Sequence, residues 1–226
     1  MKTIHVTFLI DATNDWLFTH LLTNSPISTD HRYHYHCSTD VNNIKEQDIV
    51  FALGYTTRLS DAFLTSNRLV LVVHESDLPK GVGFSPVQWQ ILEGDCVIPV
   101  CLLKATNHVD AGPIILKEEI LLKGTELYDE IRALQAQATI RLIKEFLLKY
   151  PNITYQEQHG TRTNYRKRKR SDDELDVDRT IREQFNKLRV GNNQLWPTYF
   201  RLNGETFILQ ITKEANKLES DSGNKS

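Results

Sequence analysis

The stretch LVLVVHES, at residues 69–76, decides the fold class. Its first five residues are all apolar, so the strand that they predict has no face turned to water. Continuous runs of this kind belong to parallel or mixed sheets that helices cover on both sides. His74 follows the run directly, at the C-terminal end of the predicted strand. In open α/β sheets that edge is where ligands bind.

The segments around this run alternate between strand and helix patterns. A short helix is predicted between Pro86 in its first turn and Gly94 at its end. A long amphipathic helix is predicted over residues 126–150, with Thr125 as its N-cap. This order predicts an α/β fold with a Rossmann-like, doubly wound sheet. The predicted strands cover residues 2–10, 32–37, 48–53, 69–73, 97–105 and 112–120.

The chain changes character after the predicted core at residues 1–150. Residues 151–165 are polar and aperiodic, which predicts a linker. Residues 166–213 predict a small C-terminal subdomain, in which Asp176 caps a helix and Asn203-Gly204 turns a β-hairpin. An exposed hairpin here could pair with another subunit, giving a homodimer. Residues 214–226 are charged and small, which predicts a flexible tail.

Composition narrows the class of protein. The 226 residues carry a formal net charge of −2, which predicts no nucleic-acid partner and no membrane partner. No apolar run approaches the roughly 18 residues that span a bilayer. The three cysteines are odd in number and lack metal-type spacing, which favours reduced thiols in the cytoplasm. His34 and His36 would share one face of a strand while Cys37 faces the other way, so we predict no metal site there.

Two polar residues stand where chemistry is expected. His74 ends a buried strand, and Asp110 lies in the loop after the next strand, followed by Ala111 and Gly112. Polar groups at adjacent strand ends can face one cleft although they are far apart in sequence. Each also has a plain structural interpretation: a histidine bonded to a backbone carbonyl, and a turn aspartate before Ala-Gly.

Four motifs in order resemble the core of the folate-dependent formyltransferase family. They are His-x-Ser-x-Leu-Pro at residues 74–79, Gly-x-x-Pro at 83–86, Ile-x-x-Gly at 91–94 and Val-Asp-x-Gly at 109–112. A weaker resemblance continues over residues 166–210. The resemblance is greatest to the bacterial nucleotide-sugar N-formyltransferases. It implies that residues 1–150 are a formyltransferase catalytic core that uses 10-formyltetrahydrofolate as co-substrate.

The resemblance also implies roles for individual residues. His74 would take the proton that the attacking amine loses. Asp110 would orient His74, stabilise its protonated form or help to relay the proton to the leaving folate nitrogen. The family typically has asparagine two residues before the histidine, but Val72 stands here. The oxyanion donor would then be protonated His74, a backbone N–H of residues 80–83 or Asn107; losing one donor costs about 10²–10³ in rate. The predicted co-substrate contacts are Leu78, Pro79, Lys80, Gly81, Val82, Gly83, Asn107 and Val109.

A second set of residues is predicted to contact the acceptor substrate. Arginines of the basic run RKRKR could meet a diphosphate, although most of the run could simply pair with the acidic stretch SDDELDVD that follows. Trp16 and Tyr199 could equally be packing residues. The predicted substrate contacts are Asp11, Asn14, Trp16, Ser76, Arg166, Arg168, Arg170 and Tyr199.

The leading hypothesis is therefore transfer of a formyl group to the amine of a nucleotide-linked amino sugar, in cell-surface glycan biosynthesis. One alternative is a formyltransferase for tRNA or another amine. The tRNA enzyme carries an additional C-terminal barrel, and the net negative charge of this chain does not favour tRNA. The other alternative, which Val72 suggests, is a non-catalytic binding module of the same fold.

Overall fold

A computed structural model of the protein describes residues 3–11, 15–23 and 30–214. It confirms the α/β class. Strands and helices are interspersed over the described part of residues 3–150, and short strands with one helix follow. The strands are β1 Ile4–Ile10, β2 Tyr33–Ser38, β3 Ile49–Leu53, β4 Val70–His74, β5 Val82–Gly83, β6 Val97–Lys104, β7 Ile114–Leu121, β8 Asn164–Tyr165, β9 Glu174–Leu175, β10 Thr198–Leu202 and β11 Glu205–Leu209. The helices are α1 Asp15–Thr23, α2 Asp61–Ser66, α3 Pro86–Glu93, α4 Tyr128–Lys149 and α5 Ile181–Val190.

The main sheet has six strands in the order β2-β1-β3-β4-β6-β7. The first four are parallel, as their continuous apolar runs predict, whereas β6 and β7 are antiparallel to their neighbours. Helices α1 and α4 pack together on one face of the sheet, over a core that contains Phe51 and Phe146. The opposite face is covered in part by Phe63 of α2. The sheet is therefore buried on both sides.

Helix boundaries follow local chemistry, with two corrections. Helix α3 begins at Pro86 and ends at Gly94, which has a left-handed φ of 101°, as predicted. Leu127, and not Thr125, is the N-cap of α4. Thr180, and not Asp176, caps α5, because its hydroxyl accepts from the Glu183 N–H while the Glu183 carboxylate accepts from the Thr180 N–H.

The C-terminal segment packs against the core. Strands β9, β10 and β11 form a small sheet, and Asn203 and Gly204 both have positive φ at its hairpin turn, as an Asn-Gly type I′ turn requires. Helix α5 contacts α3 and α4. Between core and subdomain, the segment predicted as a linker is hydrogen-bonded to the core: Gln156 pairs with Ile114, and β8 pairs with β5.

Within residues 3–11, 15–23 and 30–214, no helix is long and apolar enough to cross a bilayer. The same described ranges contain no group of three or more His, Cys, Asp or Glu placed to hold a metal ion. The predicted substrate residue Asn14 and most of the predicted tail lie outside the described residues.

Candidate active site

The structure brings His74 and Asp110 together. His74 is the last residue of β4, and only 5% of its surface is exposed. Its Nδ1 lies 3.4 Å from Oδ2 of Asp110, and its Nε2 lies 2.9 Å from the carbonyl oxygen of Gly81. Both ring nitrogens therefore face a polar partner, and the ring is fixed in orientation as well as in place.

The Gly81 contact fixes where the imidazole carries its proton. A carbonyl oxygen only accepts hydrogen bonds, so Nε2 must be the N–H that donates to Gly81. In the neutral ring this leaves the lone pair on Nδ1, which faces the Asp110 carboxylate. Two acceptors in this position repel each other unless a proton lies between them. Nδ1 is therefore the ring nitrogen that can accept a proton, and the Asp110 carboxylate lies beside it.

Asp110 reaches His74 by a route that strand ends alone did not predict. Because β6 is antiparallel to β4, its last residue Lys104 pairs with Leu71, while His74 pairs with Cys101. The C-terminal ends of β4 and β6 thus point to opposite edges of the sheet. The loop between β6 and β7 must fold back to bring Asp110 over the sheet, and Asp110 takes a left-handed φ of 52° there. The premise of adjacent strand ends was wrong, although the two side chains do meet.

The loop that carries residues 78–83 is held by the chain itself. The Gly81 N–H donates to Thr163 Oγ1 (2.8 Å), the Val82 N–H to the Thr163 carbonyl (2.9 Å), and the Lys80 N–H to the Asp77 carbonyl (3.0 Å). The Gly83 N–H donates to Asp110 Oδ2 at 3.3 Å. Each backbone N–H of residues 80–83, the predicted oxyanion donors, thus already donates to an acceptor within the protein. The hydrogen bond from Gly83 is the longest of the four.

The two glycines of this loop are explained by the approach of Tyr165. A Cβ on Gly81 would lie 2.7 Å from the Tyr165 ring, and one on Gly83 would lie 2.4 Å from the Tyr165 backbone oxygen. Both also have positive φ. Close packing of β5 against β8 therefore requires glycine at these positions, independently of any ligand.

A cleft opens beside Asp110 on the face of the sheet. Ala52, Val72 and Leu103 form an apolar floor, and polar groups from the loops after β3 and β6 line the walls. Val72 is half-buried there, where the resemblance predicted asparagine. The sequence analysis missed the wall formed by Tyr55, Thr56, Thr57, Arg58 and Leu59. Gly54, which directly follows β3 with a φ of 57°, is the sequence signal that could have revealed this wall. Because β3 runs parallel to β4, the loop after β3 begins at the same edge of the sheet as the loop after His74.

Two predicted co-substrate residues, Asn107 and Val109, lie in the loop after β6, which forms one wall of the cleft. Val109 lines the cleft and is exposed. The Asn107 amide oxygen lies 2.7 Å from Nδ1 of His108, and the Asn107 carbonyl accepts from Arg58. Leu78 is buried in the small apolar cluster with Cys101, and burial raises the pKa of that thiol. Leu78 thus supports the loop from below.

The predicted substrate residues near the first strand are placed as follows. Asp11 Oδ2 accepts from the Thr56 hydroxyl at 2.6 Å, which ties the end of β1 to the cleft wall. Trp16 packs against the core and lies 4.8 Å from the Arg132 guanidinium, consistent with its packing interpretation. Ser76 is buried behind the loop, with no hydrogen-bond partner for Oγ among the described residues.

The basic run is largely paired with the acids that follow it. Arg166 forms two hydrogen bonds with Asp172, and Arg168 pairs with Asp173. The Arg166 bond holds the pKa of Asp172 at about 2, whereas burial raises the pKa of Asp173. Charge pairing, the plainer of the two interpretations, accounts for these two arginines.

The remaining predicted contacts of this region point inward as well. Arg170 donates to the Pro197 carbonyl, and its guanidinium lies 4.0 Å from the ring centre of Tyr199. Tyr199 is buried, and its hydroxyl donates to Glu174. Arg166 instead stands over Trp89, 4.7 Å from the ring centre. Of these residues, Arg166 borders a groove beyond the loop at residues 78–83, and Trp89 and Tyr165 line the same groove.

Comparison with known proteins gives the family of this chain. Residues 21–145, more than half of the chain, match the family described as Formyl transferase. The chain belongs to the formyl transferase family. The matched region contains β4, His74, the loop after β6 and Asp110. The family predicted from the ordered motifs is thus confirmed.

The proteins that resemble this chain in sequence include two methionyl-tRNA formyltransferases. The one from Rickettsia typhi is 30% identical over 124 residues, which cover 54% of this chain and 41% of that protein. The one from Thermotoga maritima is 29% identical over 169 residues, which cover 73% of this chain and 54% of that protein. The chain spans about half the length of these curated relatives.

Solved structures confirm the fold. A methionyl-tRNA formyltransferase from Clostridium thermocellum has a TM-score of 0.74 at 17% identity and covers 95% of both chains. A 4-N formyltransferase from Francisella tularensis has a TM-score of 0.70 at 16% identity, covering 94% of this chain and 98% of that one. HypX from Aquifex aeolicus, solved with tetrahydrofolic acid, has a TM-score of 0.68 at 12% identity, covering 93% of this chain and 38% of that one.

Proposed function

We propose that this protein transfers a formyl group from 10-formyltetrahydrofolate to the amine of a nucleotide-linked amino sugar. The observation that carries the proposal is the buried contact between His74 Nδ1 and Asp110 Oδ2 beside an open cleft, in a chain of the formyl transferase family. The pair has the chemistry that acyl transfer to an amine requires, because the attacking nitrogen has to lose a proton.

In the reaction a bond forms between the acceptor nitrogen and the formyl carbon, and the bond from that carbon to N10 of the folate breaks. The acceptor nitrogen loses one proton and N10 gains one. Nδ1 of His74 takes the first proton, since Nε2 is already an N–H held by Gly81. Asp110 stays beside the protonated ring until the proton passes to N10 of the folate, whose bond to the formyl carbon breaks.

The cleft beside Asp110 fits the ring system of the formyl donor. Its apolar floor suits a flat heterocycle, and its walls offer polar groups to ring nitrogens. Its volume is about 110 Å³ and it is open on one side, along which the tail of the folate would lie. Residues 55–59 would then contact the donor in addition to the predicted Asn107 and Val109.

Val72 leaves the developing oxyanion without an amide from this strand. The backbone N–H groups of residues 80–83 already have partners within the protein. We therefore assign the oxyanion donor to the Nδ1–H that His74 carries once it has taken the proton of the amine. Nδ1 lies 3.4 Å from Asp110 Oδ2, which is longer than an ordinary N–H···O hydrogen bond, so this N–H can also donate to a second acceptor.

A groove on the other side of the loop at residues 78–83 supports an elongated acceptor. It begins at Gly81 and has a volume of about 720 Å³. The rings of Trp89 and Tyr165 stand nearly parallel along it, and Lys80 lies on its rim. Aromatic rings suit a nucleobase and a lysine suits a phosphate. The fold shared with a 4-N formyltransferase agrees with transfer of the formyl group to a nitrogen.

A second candidate acceptor is a charged tRNA, because the sequence relatives named above are methionyl-tRNA formyltransferases. Binding of tRNA depends on cationic side chains that can neutralise phosphates. In this chain two arginines of the basic run are paired with carboxylates and a third with a backbone carbonyl. We therefore rank the amino sugar first.

The test is incubation of the purified full chain with 10-formyltetrahydrofolate and a panel of acceptors, read by mass spectrometry. The panel contains UDP-, dTDP-, GDP- and CMP-linked amino sugars and methionyl-tRNA. We expect a formylated sugar, and a rate about 10²–10⁴-fold lower in His74→Ala and in Asp110→Asn. His36→Ala, an exposed histidine on β2, is the matched control.

The outcomes separate the candidates. Formyl transfer to methionyl-tRNA alone would show that the second candidate, and not the amino sugar, is the acceptor. Transfer to no acceptor, with folate still bound, would indicate a non-catalytic binding module. A formylated sugar whose yield is the same in His74→Ala would leave the activity in place and overturn the catalytic roles.

We also propose that the protein forms a homodimer through its hairpin. Strand β11 is at the edge of its sheet, and Phe207 and Ile208 on it are 44% and 54% exposed. An edge strand with exposed apolar residues is a template for pairing with a second copy. Light scattering should show a dimer that Ile208→Lys converts to a monomer and Leu148→Lys, on the exposed side of α4, leaves intact. A monomeric parent protein would contradict it.

We propose the cytoplasm as the location. The three cysteines, Cys37, Cys96 and Cys101, are all free thiols in the structure. Disulfides persist in oxidising compartments, and free thiols agree with a reducing one. Alkylation of intact cells followed by mass spectrometry should find Cys96, the exposed thiol, reduced. A mixed disulfide at Cys96 in most of the protein would count against a reducing compartment.

A further inference from the structure

The segment between the core and the C-terminal subdomain contacts both partners of His74. Gln158 Nε2 donates to the carbonyl oxygens of Asp110 and Gly112, at 2.8 Å each. Five residues later, Thr163 Oγ1 accepts from the N–H of Gly81, whose carbonyl faces the other nitrogen of the His74 ring. One short stretch of chain therefore holds the groups on either side of the imidazole.

Gln158 binds the loop at Asp110, a residue with an unfavourable backbone conformation. Asp110 is a non-glycine residue with a left-handed φ of 52°. Such a conformation costs on the order of 1–3 kcal/mol and persists only where the surroundings impose it. The two N–H groups of the Gln158 amide bind the carbonyls on both sides of Ala111, so they close the turn that aims the Asp110 side chain at Nδ1.

A second side chain of the segment supports the same loop. Arg162 donates to the carbonyl of Val109 at 2.9 Å. Gln158 is half-buried, whereas Arg162 is exposed. The amide is therefore the better shielded of the two contacts, and water competes less for its carbonyl partners.

We infer that Gln158 is a positioning residue of the active site, which sets the distance between His74 Nδ1 and the Asp110 carboxylate. Thr163 has the matching role for Nε2, through Gly81. Neither side chain touches the ring. The kinetic consequence of this inference rests on the proposed function, whereas its geometric consequence does not.

The substitution that tests it is Gln158→Met, which keeps the size of the side chain and removes both donors. Gln158→Glu goes further, because its carboxylate oxygens repel the two carbonyls. The matched control is Gln156→Met, two residues away, where the backbone and not the side chain pairs with Ile114. In Thr163→Val the hydroxyl that accepts from Gly81 is replaced by a methyl group of similar size.

The first readout is the ¹⁵N chemical shift of each His74 ring nitrogen, assigned by comparison with His74→Gln. We expect Gln158→Met to move the Nδ1 signal and Thr163→Val to move the Nε2 signal, while Gln156→Met moves neither. General destabilisation would not select one nitrogen. The second readout is turnover. We expect kcat about 10- to 100-fold lower in Gln158→Met, with both KM values within about twofold of the parent.

The outcomes are distinguishable. Nδ1 and kcat values in Gln158→Met that equal those in Gln156→Met would overturn the positioning role. Absence of formyl transfer in the parent protein would overturn the proposed function alone, since the ¹⁵N shifts still decide whether Gln158 positions the pair. If Gln158→Met fails to fold, the Nε2 response of Thr163→Val decides whether the segment holds the ring.

Discussion

The α-carbon of Gly112 lies directly against the backbone carbonyl of Lys104. A Cβ at residue 112 would be 1.8 Å from that oxygen, well inside contact distance. The contact closes the base of the loop that returns from β6 to β7, two residues after Asp110. The family motif Val-Asp-x-Gly at residues 109–112 thus has a steric basis here, which is the return of the loop over the sheet.

Gly112→Ala should therefore both destabilise the protein and inactivate it. We expect a loss of more than about 3 kcal/mol in the free energy of unfolding, because backbone has to move to admit the methyl group. Urea unfolding measures it. Gly204→Ala is the control: its Cβ would meet nothing within 4 Å, and only its positive φ costs, about 1–2 kcal/mol. Equal losses in the two variants would contradict the steric account.

The ion pair of Arg189 and Glu126 should dominate the docking of α5. The Arg189 side chain is 1% exposed, and its Nη1 lies 3.4 Å from Glu126 Oε2. Burial raises the pKa of Glu126, but the backbone N–H groups of Lys123 and Gly124 and the charge of Arg189 bring it below its ordinary value. Removing one partner of such a pair leaves a poorly compensated charge, and we expect Arg189→Met to cost about 3 kcal/mol.

Arg182→Met on the exposed side of the same helix provides the comparison, and it should change stability by less than about 0.5 kcal/mol. Both values come from denaturant unfolding of the full chain. An Arg189→Met protein as stable as Arg182→Met would mean that packing alone docks α5, without a contribution from the charges.

Enlarging the floor of the cleft should weaken binding of the formyl donor selectively. Val72 forms part of that floor, beside Ala52 and Leu103. The ring of Val72→Phe would occupy the space proposed for the donor. We expect KM for 10-formyltetrahydrofolate to rise about 10-fold or more while KM for the acceptor stays unchanged. The control is Val177→Phe, at an exposed position outside the cleft. A rise in the acceptor KM instead would place the acceptor in this cleft.

The Asp172–Arg166 pair predicts a loss of stability in acid. The Arg166 bond lowers the pKa of Asp172 from 3.8 to about 2 in the folded protein. A carboxyl whose folded pKa is depressed stabilises the protein above its unfolded pKa, and this contribution is lost as the pH falls through the folded pKa. We expect the unfolding free energy to fall between about pH 4 and pH 2.

Asp172→Asn should flatten that part of the pH profile, and Asp178→Asn, at an exposed aspartate in the same acidic stretch, should not. Because Arg166 is about half exposed, added salt should also reduce the effect. The measurement is urea unfolding from pH 2 to pH 6. Equal slopes in the two asparagine variants would show that Asp172 is not the group responsible.

Local patterns explain why the fold was predictable from the sequence. LVLVV at residues 69–73 has no polar face, so it had to be an inner strand, and Pro86 and Gly94 mark the ends of a helix by their own backbone preferences. The Asn203-Gly204 turn is similarly local. The cap of α5 was misassigned because Asp176, Asp178 and Thr180 all precede the helix and can each serve as a cap. The cap of α4 was misassigned because its N-cap position is taken by an apolar residue, Leu127, which forms no side-chain cap hydrogen bond.

The sequence also predicted that the basic run forms ion pairs, but it did not predict the partner of each arginine. The basic run RKRKR is followed directly by the acidic stretch SDDELDVD, which indicates ion pairs. Arg166–Asp172 and Arg168–Asp173 are such pairs. The sequence does not show that Arg170 would turn to Pro197 and Tyr199, because that depends on how β10 packs beside the run.

The sequence by itself determined the class of fold and the family, and it singled out His74 and Asp110 as the candidate catalytic pair. These depend on local runs and on motifs whose order along the chain can be read directly. Tertiary structure alone decided how the pair meets: β6 is antiparallel to β4, so Asp110 reaches His74 through a loop that folds back over the sheet. It also decided that Gln158 and Thr163 hold that geometry. The physical reason is that these contacts join residues 36 to 82 positions apart, and their energies depend on distance in space rather than along the chain.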